Sequence, residues 1–292
     1  MFRGTFTALV TPFRDRGIDV AAFEQLIETQ VAAGITGIVA IGTTGESPTL
    51  AHEEREQAIR VAVAKANKRC VVLAGTGSNS TEHAIADTKR AEKLGVDAAL
   101  LVAPYYNKPS QEGLFRHFKA IADTTSLPIM LYNIPGRCSV DIVPETVARL
   151  ANECRNIVSI KEASGSVERI NELRRQLPDA FTILSGDDSL TLPFIAVGAV
   201  GVVSVASNLF PSEVSALVRA CESGDLKSAE KLHRKLLPLC KDLFIEPNPV
   251  PVKTALGWRG AISPEVRLPL CEMSEANTAR LRKTLEDFES KR

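Results

Sequence analysis

The sequence predicts a (β/α)8 barrel, a TIM-barrel α/β fold, followed by a C-terminal helical extension. Three observations carry that expectation. Eight short apolar runs alternate with longer amphipathic stretches up to about Gly224. These runs are continuously apolar rather than alternating, as strands covered on both faces of a parallel sheet must be. A pattern of helix, glycine and strand also recurs at 33–39, 94–100 and 197–203, and it puts Gly34, Gly95 and Gly198 where a left-handed residue ends a helix.

In chain order, strands are expected at 6–10, 38–41, 71–74, 98–102, 129–132, 157–160, 182–184 and 201–205. The amphipathic stretches between them include 20–33, 52–66, 81–94 and 111–124. Eight such units favour a closed barrel over an open doubly wound sheet, the alternative that periodicity alone leaves standing. The uncharged stretch 189–212 has the length of a membrane span. Pro193, Gly198, Gly201 and Asn208 interrupt it, however, so a helix, a glycine break and a buried strand are expected there. Beyond Gly224 the pattern becomes helices without strands: 226–243, a turn at Pro247-Asn248-Pro249-Val250-Pro251, a short helix at 252–258, and a polar amphipathic helix from Ser274 onward. The catalytic barrel is accordingly assigned to 1–224 and the helical region to 225–292.

The 292 residues carry 35 basic and 35 acidic side chains. A net charge of zero removes the long-range attraction that nucleic acid or an anionic membrane surface would require. The six cysteines lack the short paired spacing of a zinc or redox site, and read as buried small apolar residues of a reducing compartment. Met1 to Phe13 is interrupted by Gly4 and Pro12 and does not make a signal-peptide core, so a cytoplasmic protein is expected. His52, His83, His117 and His233 show no metal-ligand spacing and are expected on helix or loop surfaces. Asp187 and Asp188, between a strand and a helix, are expected to cap the helix rather than hold a metal. No Gly-x-Gly-x-x-Gly opens a helix after a strand. The expected complement is no metal and no cofactor.

In such a barrel the active face lies at the carboxyl ends of the strands. Those ends supply Thr11, Gly42-Thr43-Thr44-Gly45-Glu46-Ser47, Gly75-Thr76-Gly77, Tyr105-Tyr106-Asn107, Tyr132-Asn133, Lys161-Glu162, Ser185-Gly186-Asp187-Asp188, and Ser204 with Ser207-Asn208 beyond. Lys161 follows an apolar run directly, where desolvation disfavours the ammonium form and frees a neutral amine to attack a carbonyl. Snorkelling to water, or pairing with Glu162, is the structural alternative. Imine chemistry needs several proton transfers, and Tyr106 and Tyr132 with Thr44 supply the hydroxyls for them. Packing tyrosines that bond locally are the competing reading. Gly42-Thr43-Thr44-Gly45 has the makings of an anion nest. Arg137, on the turn after the fifth strand, suits a bidentate grip on a carboxylate, or is an ordinary surface arginine.

Taken together, Gly42-Thr43-Thr44-Gly45-Glu46-Ser47, Pro104 to Gly113, Leu131-Tyr132-Asn133-Ile134-Pro135-Gly136-Arg137, Ile160-Lys161-Glu162-Ala163-Ser164-Gly165, Leu184-Ser185-Gly186-Asp187-Asp188 and Glu246-Pro247-Asn248-Pro249 resemble, in order and across essentially the whole chain, the dihydrodipicolinate synthase family of pyruvate-dependent class I aldolases. The resemblance implies condensation of pyruvate with L-aspartate 4-semialdehyde on the route to diaminopimelate and lysine. It makes Lys161 the imine-forming residue, with Tyr132, Thr44 and Tyr106 moving protons. Thr43 and Thr44 would hold the pyruvate carboxylate and Arg137 that of the semialdehyde, while Gly186 and Val203 shape the pocket. It further implies a homotetramer, a dimer of dimers, in which Tyr106 reaches a neighbouring subunit's site. Lysine-inhibited members bind their effector with residues that map here to Ser47, Pro48, His52, Arg55, Asn79, His83 and Tyr105. In the sensitive pattern the position of Arg55 is often histidine and that of His83 often glutamate, so weak or absent lysine inhibition is expected.

The rival on the same scaffold is N-acetylneuraminate lyase or a 2-keto-3-deoxy sugar acid aldolase, which do not normally carry an arginine at the position of Arg137. A catalytically silent barrel used as a binding protein is the rival of another class. Its mark would be a lost lysine or tyrosine, and none is lost.

Overall fold

The computed structural model describes residues 2–290. Eight parallel strands close into a barrel: β1 (Gly4–Ala8), β2 (Gly37–Ala40), β3 (Val71–Gly75), β4 (Ala98–Val102), β5 (Ile129–Asn133), β6 (Ile157–Glu162), β7 (Thr182–Ser185) and β8 (Gly201–Ser204). Each pairs with its chain neighbours, and β1 closes the ring on β8 through Gly4↔Gly201 and Thr7↔Ser204. All eight expected strands form. The first starts two residues earlier than the sequence suggested, because Gly4 and Thr5 enter the ladder with β8.

The barrel helices are α1 (Val20–Ala32), α2 (His52–Ala66), α3 (Thr81–Lys93), α4 (Gln111–Ala122), α5 (Pro144–Glu153), α6 (Val167–Gln176), α7 (Thr191–Ala196) and α8 (Pro211–Glu222). Their starts follow local chemistry. Asp19, Ser80, Ser110 and Ser166 each cap an orphan N–H of the first turn. At the other ends Gly34 and Gly95, with φ of +70° and +85°, provide the left-handed turn back into a strand. The uncharged stretch resolves into α7, a break at Gly198 and β8. Among the described residues no helix is long and apolar enough to cross a membrane.

From Leu226 onward there are helices only: α9 (Leu226–Asp242), α10 (Val250–Trp258) and α11 (Glu275–Glu289), the last capped by Ser274 onto the Asn277 N–H. They share the barrel's hydrophobic core. Leu236, Leu239, Leu281 and Leu285 are buried in it, and the rings of Phe288 and Phe210 lie 4.4 Å apart.

Two sequence expectations are corrected. His117 is buried, because with Leu114, Phe118 and Ile121 it occupies the apolar stripe of α4. Its Nδ1 meets the Thr81 hydroxyl at 2.9 Å, and burial lowers its pKa to about 4. Of the cysteines, Cys70, Cys138, Cys154 and Cys240 are buried, whereas Cys221 is half-buried and Cys271 is exposed on the loop between α10 and α11.

Candidate active site

Lys161 is a ladder residue of β6, not the first residue after it. Its backbone is held between Tyr132 of β5 and Leu184 of β7. The side chain is 6% exposed, and its Nζ lies 4.2 Å from the centre of the Tyr132 ring. Burial pushes the Lys161 pKa down to about 8, against an opposing pull from Asp188. Gly186 makes room for it: a Cβ there would stand 2.7 Å from that of Ala163 and 3.1 Å from Lys161 Cε. Val203 is buried in β8 as a wall of the barrel.

Burial likewise raises the Tyr132 phenol to about 12, moderated by Arg137 and by a hydrogen bond with the Thr43 side chain. The hydroxyl that bears on Tyr132 is that of Thr43, the chain neighbour of the expected Thr44. Thr44 is buried the other way, where its Oγ1 accepts a hydrogen bond of 3.0 Å from Asn248 Nδ2. The turn that presents both threonines folds on itself through Gly45 N–H to Gly42 O and Glu46 N–H to Thr43 O, each 3.1 Å. Among the described residues no acceptor in the chain meets the N–H of Thr43 or Thr44, which is the condition for an anion nest.

A small space of about 40 Å³ bounded by Thr43, Tyr132 and Gly42 adjoins an outer cavity of about 250 Å³ with which it shares Thr43, Ser47, Gly77 and Val102. Arg137 stands on the rim of the outer cavity, on the one-turn helix Pro135–Cys138. Ser47, Pro48, Arg55 and Tyr105, expected at an effector site, line this same cavity. Arg55 is tied to Asp87 at 3.2 Å, with His52 at 3.9 Å from the same carboxylate. Asn79 lies nearby, its carbonyl accepting from Asn107, and His83 is exposed on α3. The structure thus gathers Lys161, Tyr132, Thr43, Gly186 and Arg137. It does not gather Tyr106, which is 89% exposed, with φ of +75°.

Four further residues were given no functional role in the site from sequence. Asp188 does not cap. Asp187 does, accepting the Ser189 N–H at 2.8 Å, while Asp188 turns inward to accept the N–H groups of Val205 and Ala206 at 2.8 and 3.0 Å. Glu162, fully buried, accepts from Asn133 Nδ2 and the Ser164 N–H, and burial raises its pKa. Asn248, in the turn before α10, and Lys253, within α10, come from the C-terminal region. The Lys253 ammonium meets Glu46 Oε1 at 2.6 Å with both side chains out of water. The proline-flanked Asn248 was visible as a motif, whereas Lys253 gave no local signal.

The comparisons with known proteins agree. The Dihydrodipicolinate synthetase family matches residues 1–288. A 4-hydroxy-tetrahydrodipicolinate synthase of Endomicrobium trichonymphae is 54% identical over 288 residues, covering 99% of both chains. One from Thermodesulfovibrio yellowstonii is 55% identical over 285 residues, 98% of each. The structure of the 4-hydroxy-tetrahydrodipicolinate synthase of Methylacidiphilum fumariolicum SolV superposes with a TM-score of 0.99 at 57% identity, covering 100% of this chain and 97% of that one. The sugar-acid aldolase alternative is not favoured by these relatives. With its barrel, its buried lysine and this similarity along the whole length, the chain belongs to the dihydrodipicolinate synthetase family.

Proposed function

We propose that this chain is a lyase-type enzyme that condenses pyruvate with L-aspartate 4-semialdehyde to 4-hydroxy-tetrahydrodipicolinate, on the diaminopimelate route to lysine, through an imine at Lys161. The observation that carries the imine is the buried Lys161 amine, with its pKa lowered to about 8 and its backbone fixed in the barrel ladder. The neutral amine attacks the keto carbon of pyruvate and water leaves. The protonated imine then draws electrons from the pyruvate methyl, which loses a proton to give an enamine. The enamine carbon attacks the aldehyde. The amine of the semialdehyde closes the ring on the imine carbon and returns Lys161 to its free form.

Protons move in this scheme through Tyr132 and Thr43, whose hydroxyl helps to hold the phenol pKa down against burial. The free N–H groups of Thr43 and Thr44 receive the pyruvate carboxylate, and Arg137 on the cavity rim receives that of the semialdehyde. Gly186 and Val203 shape the pocket floor. Tyr106 serves a second copy of the chain, in a homotetramer built as a dimer of dimers. Its exposure on a left-handed loop residue supports that role. The cytoplasmic setting expected from sequence goes with this reading.

The test is borohydride reduction in the presence of pyruvate, followed by peptide mapping, with product assays on each aldehyde. Labelling at Lys161 with turnover of the semialdehyde is expected. Labelling without that turnover keeps the imine and moves the assignment to a sugar-acid aldolase. No labelling at Lys161 overturns the reading.

A further inference from the structure

The turn that carries Thr43 and Thr44 is held by the C-terminal helices as well as by the barrel. Glu46, in the left-handed region with φ of +54°, points its carboxylate inward, where Lys253 Nζ meets one oxygen at 2.6 Å and the Arg267 N–H the other at 3.1 Å. The Lys253 ammonium also donates to the Thr11 carbonyl at 2.9 Å, and the Thr11 hydroxyl donates to the Gly45 carbonyl at 2.8 Å. At the other side of the turn Asn248 Nδ2 donates to Thr44 Oγ1 at 3.0 Å. Asn248 is 6% exposed, and its Oδ1 is buried without a partner. Its segment is in turn anchored by Glu246, one of whose oxygens accepts from the Ser274 N–H and hydroxyl and from Asn277 Nδ2 at the start of α11.

We propose that Asn248 is a positioning residue for keto-acid binding, which holds the anion-binding turn in register with Lys161 through its hydrogen bond to Thr44. A nest works only while its N–H groups converge on one point. Thr44 lies within that nest, so its side-chain anchor sets where the two free N–H groups aim. A buried amide is costly as mere packing, and its place is explained by the Thr44 hydroxyl it fixes. The inference rests on the imine reading above.

The experiment measures the pyruvate concentration that half-saturates borohydride trapping, in wild type, Asn248→Ala, Thr44→Val and the double variant, with melting temperatures alongside. Asn248→Ala is expected to raise that concentration about tenfold while the labelled site stays Lys161, the effect of a displaced donor set. In the Thr44→Val background the same substitution is expected to add little, because the two side chains act as one unit. A purely structural role would lower the melting temperature and the active fraction without moving half-saturation. An unchanged half-saturation in Asn248→Ala, or an equal rise in both backgrounds, overturns the inference while leaving the imine reading intact. Should Asn248→Ala fail to fold, Thr44→Val carries the test from the other end of the bond, and an unchanged half-saturation there overturns the inference too. If wild type is not labelled at Lys161, the imine reading fails and this inference falls with it.

Discussion

Replacing Lys253 by methionine removes the cation from an ion pair whose side chains are 0% and 1% exposed and leaves the Glu46 carboxylate buried without it. The methionine fills similar volume, so the loss is electrostatic. The Lys253 bond to the Thr11 carbonyl and the contact of its ammonium with the Phe13 ring at 4.2 Å are lost with the charge. Breaking a buried pair from one side costs about 3–5 kcal/mol. At roughly 2–3 °C per kcal/mol for a chain of this size, the melting temperature falls by about 6–15 °C. Adding Glu46→Gln removes the stranded charge, so the double variant recovers a substantial part of that loss. Differential scanning fluorimetry at matched protein concentration reads both. A single variant melting within about 2 °C of wild type, or a double variant no more stable than the single, refutes the claim that an uncompensated charge is what the pair prevents.

Imine formation needs the neutral amine, so its rate at subsaturating pyruvate is expected to fall about tenfold per pH unit below about 8 and to level off above it; a rate flat from pH 6 to 9 would contradict this. Asp188 holds the Lys161 pKa up, so Asp188→Asn should move that midpoint to lower pH, and a stationary midpoint in stopped-flow trapping shows that Asp188 carries no charge there. Gly186→Ala forces a methyl to within 2.7 Å of the Ala163 Cβ, which is expected to cost about 1–3 kcal/mol of stability and to slow imine formation; wild-type trapping rates would show that the pocket tolerates the methyl. Millimolar lysine is expected to inhibit weakly, since Arg55 is committed to Asp87 and to the Gly75 carbonyl, and strong inhibition in a steady-state assay would count against that reading. Mixing inactive Lys161→Ala with impaired Tyr106→Phe subunits should restore activity, because one copy supplies the amine and the other the phenol; no recovery after verified subunit exchange argues that Tyr106 does not cross.

The strands were legible because covered parallel strands must be apolar throughout, as in the runs leading to Lys161 and Tyr132, whereas closure of the barrel rested on the number of units, since an open doubly wound sheet shows the same periodicity. Lys161 and Tyr132 could be placed at one mouth from strand order alone, since neighbouring strands bring them into register. Choosing between Thr43 and Thr44 could not be done that way. Which of two adjacent turn residues faces the axis depends on the backbone around them, where Ile41 and Glu46 both adopt positive φ. The C-terminal clamp was invisible for another reason: Asn248 reaches Thr44 across 204 positions, and Lys253 reaches Glu46 across 207. No periodicity reports contacts at that separation. His117, by contrast, sits at a spacing with Leu114, Phe118 and Ile121 that was readable in advance.

Lys161, the proposed nucleophile, belongs to the sheet, whereas Arg137 rides on a single turn of helix at the rim. That separation divides the labour of the enzyme along its evolutionary lines of least resistance. On the proposed scheme, rebuilding the rim exchanges the second reactant while imine formation at Lys161, held in the ladder between Tyr132 and Leu184, carries on undisturbed. Changing the first half-reaction means recutting the barrel itself.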